Sequence, residues 1–174
     1  SMRQILKFSF FNRPVLAIAP DLLGKFIVRR WRGQNIALMI TEVEAYDGFK
    51  DKASHAHRGQ TERNQVMFGP AGFWYVYFTY GMHWMLNIVT GPKDYPAAVL
   101  IRGTDKVIGP ARLTKWLHVD KKLSCQIASR KSGLWIEDRG VVIDKKNIKR
   151  TPRVGVAYAG AWAKKLYRVI LHPN

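Results

Sequence analysis

The run Ile40-Thr41-Glu42-Val43-Glu44-Ala45-Tyr46 decides how this chain is built. Alternation over Ile36 to Tyr46 has the period of a strand. Ala37, Met39, Thr41, Val43 and Ala45 fall on one face, and Leu38, Ile40, Glu42, Glu44 and Tyr46 on the other. Two glutamates and a tyrosine therefore line up at one strand end. Upstream, Arg32-Gly33-Gln34-Asn35 reads as a turn and Lys25 to Trp31 as a partner strand, which makes a hairpin. Asp21-Leu22-Leu23-Gly24 before it reads as a helix tail closed by glycine.

Downstream, the polar loop Asp47 to Gln60 carries Asp51, Ser54, His55, His57 and Arg58. Thr61 is placed to cap a short helix through Met67, and Gly69-Pro70-Ala71-Gly72 ends it. A second hairpin follows. Its first strand, Phe73 to Thr79, puts Tyr75, Tyr77 and Thr79 on one face and Trp74, Val76 and Phe78 on the other. Tyr80-Gly81-Met82-His83 forms the tip, and Trp84 to Val89 returns. Ala97 to Ile101 is an apolar run, a buried strand ending at Arg102. Gly109-Pro110 precedes a helix over Ala111 to Leu117, and a second helical stretch is expected from Lys121 to Lys131. Leu134 to Ile136 and Val141 to Ile143 read as short strands and Lys145 to Arg153 as a basic loop. Val154 to Val156 and Tyr167 to Leu171 read as closing strands. Strands joined by hairpins, with helices outside them, predict an α+β fold in a single domain over residues 1–174.

Composition narrows the partner. There are 29 Lys and Arg against 12 Asp and Glu, a formal charge of +17. Such an excess repels itself in a compact fold and points to a polyanion, nucleic acid first. Hydrophobic residues make up 47%, enough for a core without a metal or disulfide frame. Cys125 is the one cysteine, so no internal disulfide is expected. No apolar run approaches the ~20 residues of a membrane span, and no signal peptide is read. The expected compartment is reducing, cytoplasm or nucleoid. Ser1 before Met2 reads as an expression remnant.

A carboxylate among aromatics in a basic protein points to chemistry on a nucleobase, which must leave the duplex to be reached. Tyr46 and Tyr77 are candidates to sandwich a flat ring, and their faces favour a cationic one. Tyr80, with Met82 beside it, is a candidate wedge into the base stack. Glu44 is the candidate that activates water and stabilises an oxocarbenium-like sugar. His55, His57 and His83 lack the companions of a zinc motif, and no lysine lies in the aromatic stretch to form a Schiff base. No metal or cofactor is therefore expected.

Several runs together resemble the alkyladenine (3-methyladenine) DNA glycosylase family. They are Thr41-Glu42-Val43-Glu44-Ala45-Tyr46, Ala53-Ser54-His55, Met67-Phe68-Gly69-Pro70-Ala71-Gly72, Tyr75-Val76-Tyr77, Tyr80-Gly81-Met82-His83 and Leu86-Asn87. Ala98-Val99-Leu100-Ile101-Arg102, Gly109-Pro110 and Pro152-Arg153-Val154-Gly155-Val156 extend the likeness, which runs from Leu22 to Trp162. The resemblance implies a curved, mainly antiparallel sheet with surrounding helices and a protruding aromatic hairpin. It implies a monofunctional, metal-free enzyme of base excision repair that removes alkylated or deaminated purines. By position it makes Glu44 the water-activating residue. It gives Tyr46, His55 and Tyr77 to the base pocket and Asn87 to its floor, where guanine is rejected. Tyr80 becomes the inserted residue, and Arg102 a neighbour of the flipped nucleotide and its phosphates. Ala111, Gly103 and Lys165-Leu166-Tyr167-Arg168 depart from the family pattern. The implied partner is double-stranded DNA with damaged purines, met by a monomer in the bacterial cytoplasm or a nucleus. The competing reading is a non-catalytic basic DNA- or RNA-binding protein, which has no need of Glu44.

Overall fold

A computed structural model describes residues 3–172; the Ser1 remnant lies outside the described residues. Among the described residues every strand pairing is antiparallel, and the fold is α+β around one open sheet. The elements are β1 (Gln4–Ile5), α1 (Phe8–Phe11), α2 (Val15–Leu22), β2 (Phe26–Trp31), β3 (Gln34–Asp47), β4 (Trp74–Thr79), β5 (His83–Val89), β6 (Ala97–Thr104), α3 (Pro110–Trp116), β7 (Leu134–Asp138), β8 (Ile148–Thr151) and β9 (Arg168–Leu171). Strand order is β1-β7-β2-β3-β6-β5-β4, and β9 pairs with both β3 and β8.

The long strand β3 is the spine. Its first half pairs with β2 across a tight turn at Arg32 and Gly33, both at positive φ. Its second half holds β6 and also takes β9 over Glu42–Glu44. Between the halves the register slips: Ile40 faces Thr104, Glu42 faces Gly103 and Val43 faces Ile101. A bulge of this kind changes which residues share a face. Leu38 and Ile40 lie in the core, and beyond the slip Val43 and Ala45 do. The unbroken alternation expected over the whole strand is thus corrected. Glu42, Glu44 and Tyr46 do share a face, but not with Leu38 and Ile40. Gly103 has a local reason here: a Cβ there would sit 3.3 Å from Glu42 Cβ and 3.2 Å from Ile108 Cδ1.

One apolar core packs α2 and α3 against the sheet, with Ile18, Leu22, Ile40, Trp74, Leu86 and Ile101 fully buried. Trp74 Nε1 donates to the Leu134 carbonyl at 3.0 Å, so its polar edge is satisfied inside. Gly24 ends the helical segment as expected, at φ 87. Other expectations fail locally. Lys121 to Lys131 forms only a 3-10 turn over Lys121–Leu123, because the Asp120 side chain accepts from Lys122 N and Cys125 sits at φ 66. The Thr61 segment is likewise a 3-10 turn, Gln65–Phe68, with Thr61 and Asn64 hydrogen-bonded to each other. Val141 to Ile143 and Val154 to Val156 are not strands, whereas the basic loop contains β8. No helix among the described residues is long and apolar enough to cross a membrane.

Candidate active site

The second half of β3, hairpin β4–β5 and β6 turn their non-core face to a cleft of about 440 Å³. Glu44, Tyr46, Tyr77, Asn87 and Arg102 are in its walls, with Tyr80 at its edge. The alternation expected for β4 holds: Tyr75 and Tyr77 line the cleft while Trp74 and Val76 enter the core.

Glu44 is fully buried, and both its oxygens are engaged. Tyr46 Oη donates to Oε1 at 2.8 Å, and the Val154 backbone N–H donates to Oε2 at 2.7 Å. Arg102 Nε stands 3.8 Å from Oε2. Burial pushes the Glu44 carboxyl above the usual range; Arg102, the Val154 N–H and the Tyr46 hydroxyl oppose this. Burial and the Glu44 charge drive Tyr46 far upward, so it stays a phenol and a donor.

Glu42 organises the arginine. Its Oε2 accepts from Arg102 Nε at 3.0 Å and from Arg168 Nε at 2.8 Å. Behind Tyr46 lies a second charge pair, Asp51 with Arg153, both side chains wholly buried. Arg153 binds bidentately, Nη1 to Oδ2 at 2.6 Å and Nη2 to Oδ1 at 2.9 Å. Its guanidinium also lies 4.9 Å from the Tyr46 ring centroid and 5.0 Å from that of Tyr167. Asp51 in turn accepts from Asp47 N and Ala53 N, which fixes the loop after β3.

On the far wall, His55 Nδ1 is 3.0 Å from Tyr75 Oη, and its ring meets Tyr77 edge-on at 4.4 Å. Burial and then Arg63 depress the His55 pKa, so the ring is neutral near pH 7. Burial raises Tyr75 to about 12 and pushes Tyr77 higher still. Asn87 is buried, its Nδ2 donating to the Tyr75 carbonyl at 3.1 Å. His57 turns aside to the Phe49 carbonyl, and among the described residues no three His, Cys, Asp or Glu side chains gather as metal donors. The hairpin tip is Tyr80-Gly81-Met82, closed by Met82 N–H on the Thr79 carbonyl at 3.2 Å. Tyr80 is 84% exposed and Met82 67%.

A methylpurine-DNA glycosylase family model matches residues 9–108 and 104–174, nearly the whole chain. The chain belongs to the methylpurine-DNA glycosylase family. The glycosylase is accordingly an enzyme, a hydrolase acting on N-glycosyl bonds. Among similar proteins, one of Streptomyces avermitilis is 42% identical, over 91% of this chain and 84% of its own length. One of Methanocella arvoryzae is 39% identical over 94% and 90%, and one of Legionella pneumophila 37% over 99% and 97%. Each carries the name "Putative 3-methyladenine DNA glycosylase".

The fold brings Glu44, Tyr46, His55, Tyr77, Asn87 and Arg102 to one cleft of the glycosylase, and leaves Tyr80 and Met82 at the exposed tip. Sequence reasoning missed the supports of Glu44: the Val154 N–H, the Glu42–Arg168 link to Arg102, and the Arg153–Asp51 pair under Tyr46. Pro152-Arg153-Val154 was marked only by resemblance. A backbone donor has no side-chain signature, and Arg153 lies 102 residues from Asp51.

Proposed function

We propose that this DNA glycosylase flips an alkylated or deaminated purine into the cleft and hydrolyses its N-glycosidic bond with a water activated by Glu44. The observation that carries this is the Glu44 carboxylate itself. It is buried at the cleft wall, beside Arg102 and two hydrogen-bond donors that favour its charged form. Glu44 takes the water proton as the oxygen bonds to C1′ and the C1′–N bond breaks. The electron pair leaves with the base, and the anion steadies the developing sugar cation. A cationic methylated purine departs as a neutral base; a neutral purine must also gain a proton. Tyr46, Tyr77 and His55 hold the ring, and electron-rich tyrosine faces favour a charged lesion. Asn87, anchored to the Tyr75 carbonyl, cannot swing aside, and so excludes the exocyclic amino group of guanine by contact. Tyr80 fills the stack, Met82 supports it in the minor groove and Arg102 faces the flipped nucleotide's phosphates. The protein works as a single domain and a monomer on duplex DNA.

The test is Glu44→Gln on methylated DNA, with released bases identified by mass spectrometry. Excision should fall by about 10²–10⁴ while lesion-duplex affinity stays unchanged. Near-normal excision would refute the role of Glu44.

A further inference from the structure

A second charged cavity lies away from the cleft. Strands β1, β2 and β7 and the turn before β7 enclose a groove of about 290 Å³ lined by Arg3, Arg30, Arg130, Arg139, Trp135 and Glu137, with Asn35 at its edge. Its floor is ordered. Trp135 Nε1 donates to Glu137 Oε1 at 2.7 Å, and Arg139 Nε to Oε2 at 2.7 Å. Trp135 and Glu137 are buried, whereas Arg3, Arg30 and Arg130 are exposed around them. Arg130 lies 6.0 Å from the Trp135 ring centroid, and Arg30 Nη1 donates to Asn35 Oδ1 at 3.2 Å. Arg139 pairs with Glu137, while Arg3, Arg30 and Arg130 bring three more positive charges to the rim of the groove. Such a gathering makes the local potential positive and attracts an anion.

The groove's place in the sheet says which anion. Leu134 and Ile136 enter the core, so Trp135 and Glu137 face the other way. Their partners across β2 are Val28 and Phe26, which pair in turn with Ala37 and Met39. That is the non-core face of β3, and beyond the bulge the same face carries Glu42 and Glu44. Two strand spacings of ~4.8 Å and about seven residues of ~3.3 Å along β3 separate the groove from Glu44, roughly 25 Å over the sheet. Along a B-form strand that is about seven phosphates at ~3.4 Å each.

We propose that this groove is a phosphate-binding site that holds the DNA backbone about seven base pairs from the flipped nucleotide. Arginine forks suit phosphate oxygens, and such contacts fix register without reading sequence. The inference rests on the glycosylase reading of the cleft, so its test separates the two. Lesion duplexes with about four and about twelve base pairs on each flank are titrated against salt, with wild type, Arg30→Gln/Arg130→Gln and Arg30→Lys/Arg130→Lys. On long duplexes the glutamine variant should bind several-fold more weakly. Its log-affinity against log-salt slope should be shallower by about 0.9 for each lost phosphate contact. On short duplexes all three proteins should bind and excise alike, and the lysine variant should keep the wild-type slope on long ones. Unchanged affinity on long duplexes, equal loss at both lengths, or a slope as shallow in the lysine variant as in the glutamine variant would overturn the site. Excision from short duplexes, read in parallel, reports on the cleft alone.

Discussion

Glu44 is held in conflict. Burial favours its neutral form, while Arg102, the Val154 N–H and Tyr46 favour the anion that the proposed chemistry needs. Because the carboxyl sits above its usual range, excision of a cationic lesion should rise with pH later than an ordinary exposed carboxylate would dictate. Arg102→Met removes an opposing charge, so single-turnover rates should rise at still higher pH; an unmoved profile would show that Arg102 does not tune Glu44. The same shift bears on stability. A raised folded-state pKa means the native protein holds its proton longer than the unfolded chain. Stability is therefore lost as pH rises from the unfolded value through the folded one. Glu44→Gln should melt at or above wild type at pH 7.5, and the advantage should vanish below the ordinary glutamate pKa. A lower melting temperature at pH 7.5 would mean the hydrogen bonds to Tyr46 and Val154 outweigh the buried charge.

The β4–β5 hairpin places a bulky residue in the left-handed region, Tyr80 at φ 54. L-residues there cost roughly 1–2 kcal/mol, a cost that folding alone does not require. Tyr80→Gly should therefore leave the fold at least as stable. It should weaken lesion-duplex binding by a few kcal/mol, the scale of unstacking, with single-stranded substrate much less affected. Equal losses on both substrates would make Tyr80 a folding residue. Under β3, Arg153→Met should destabilise by about 3–5 kcal/mol, because it leaves Asp51 buried and uncompensated; chemical denaturation measures it, and a loss below about 1 kcal/mol would contradict the buried pair. These elements also mark how far the sequence could be read. Period-2 alternation found the cleft faces of β4 and the far half of β3, since one face of each is apolar. It missed the bulge at Glu42, because register belongs to a pair of strands and not to one. Charge near Lys121 and Lys146 looked helical or loop-like, yet Asp120 and Asp144 each cap a 3-10 turn by accepting a nearby backbone N–H. Val141 to Ile143 has strand composition but joins no strand among the described residues.

Across the whole molecule the charge of +17 should govern association. Log affinity for undamaged duplex should fall against log salt with a slope steeper than about −4, as expected when several phosphates are neutralised; a flat plot would sink duplex DNA as the partner. The Glu44 site draws together distant parts of the chain. Glu44 comes from the first third, Arg102 from the middle, and the Val154 N–H and Arg168 from near the C-terminal end, where β9 joins β3 beside the carboxylate. Order of synthesis follows from that arrangement. Trp74 of the aromatic hairpin waits for Gln126 and Leu134, and Glu44 leaves the ribosome long before Val154 and Arg168 do. Until then the carboxylate lacks the amide that engages one oxygen, and Glu42 holds Arg102 without Arg168 on the same oxygen. The proposed active site is therefore complete only near the end of translation, and a chain that stops short of Val154 should release no bases from methylated DNA.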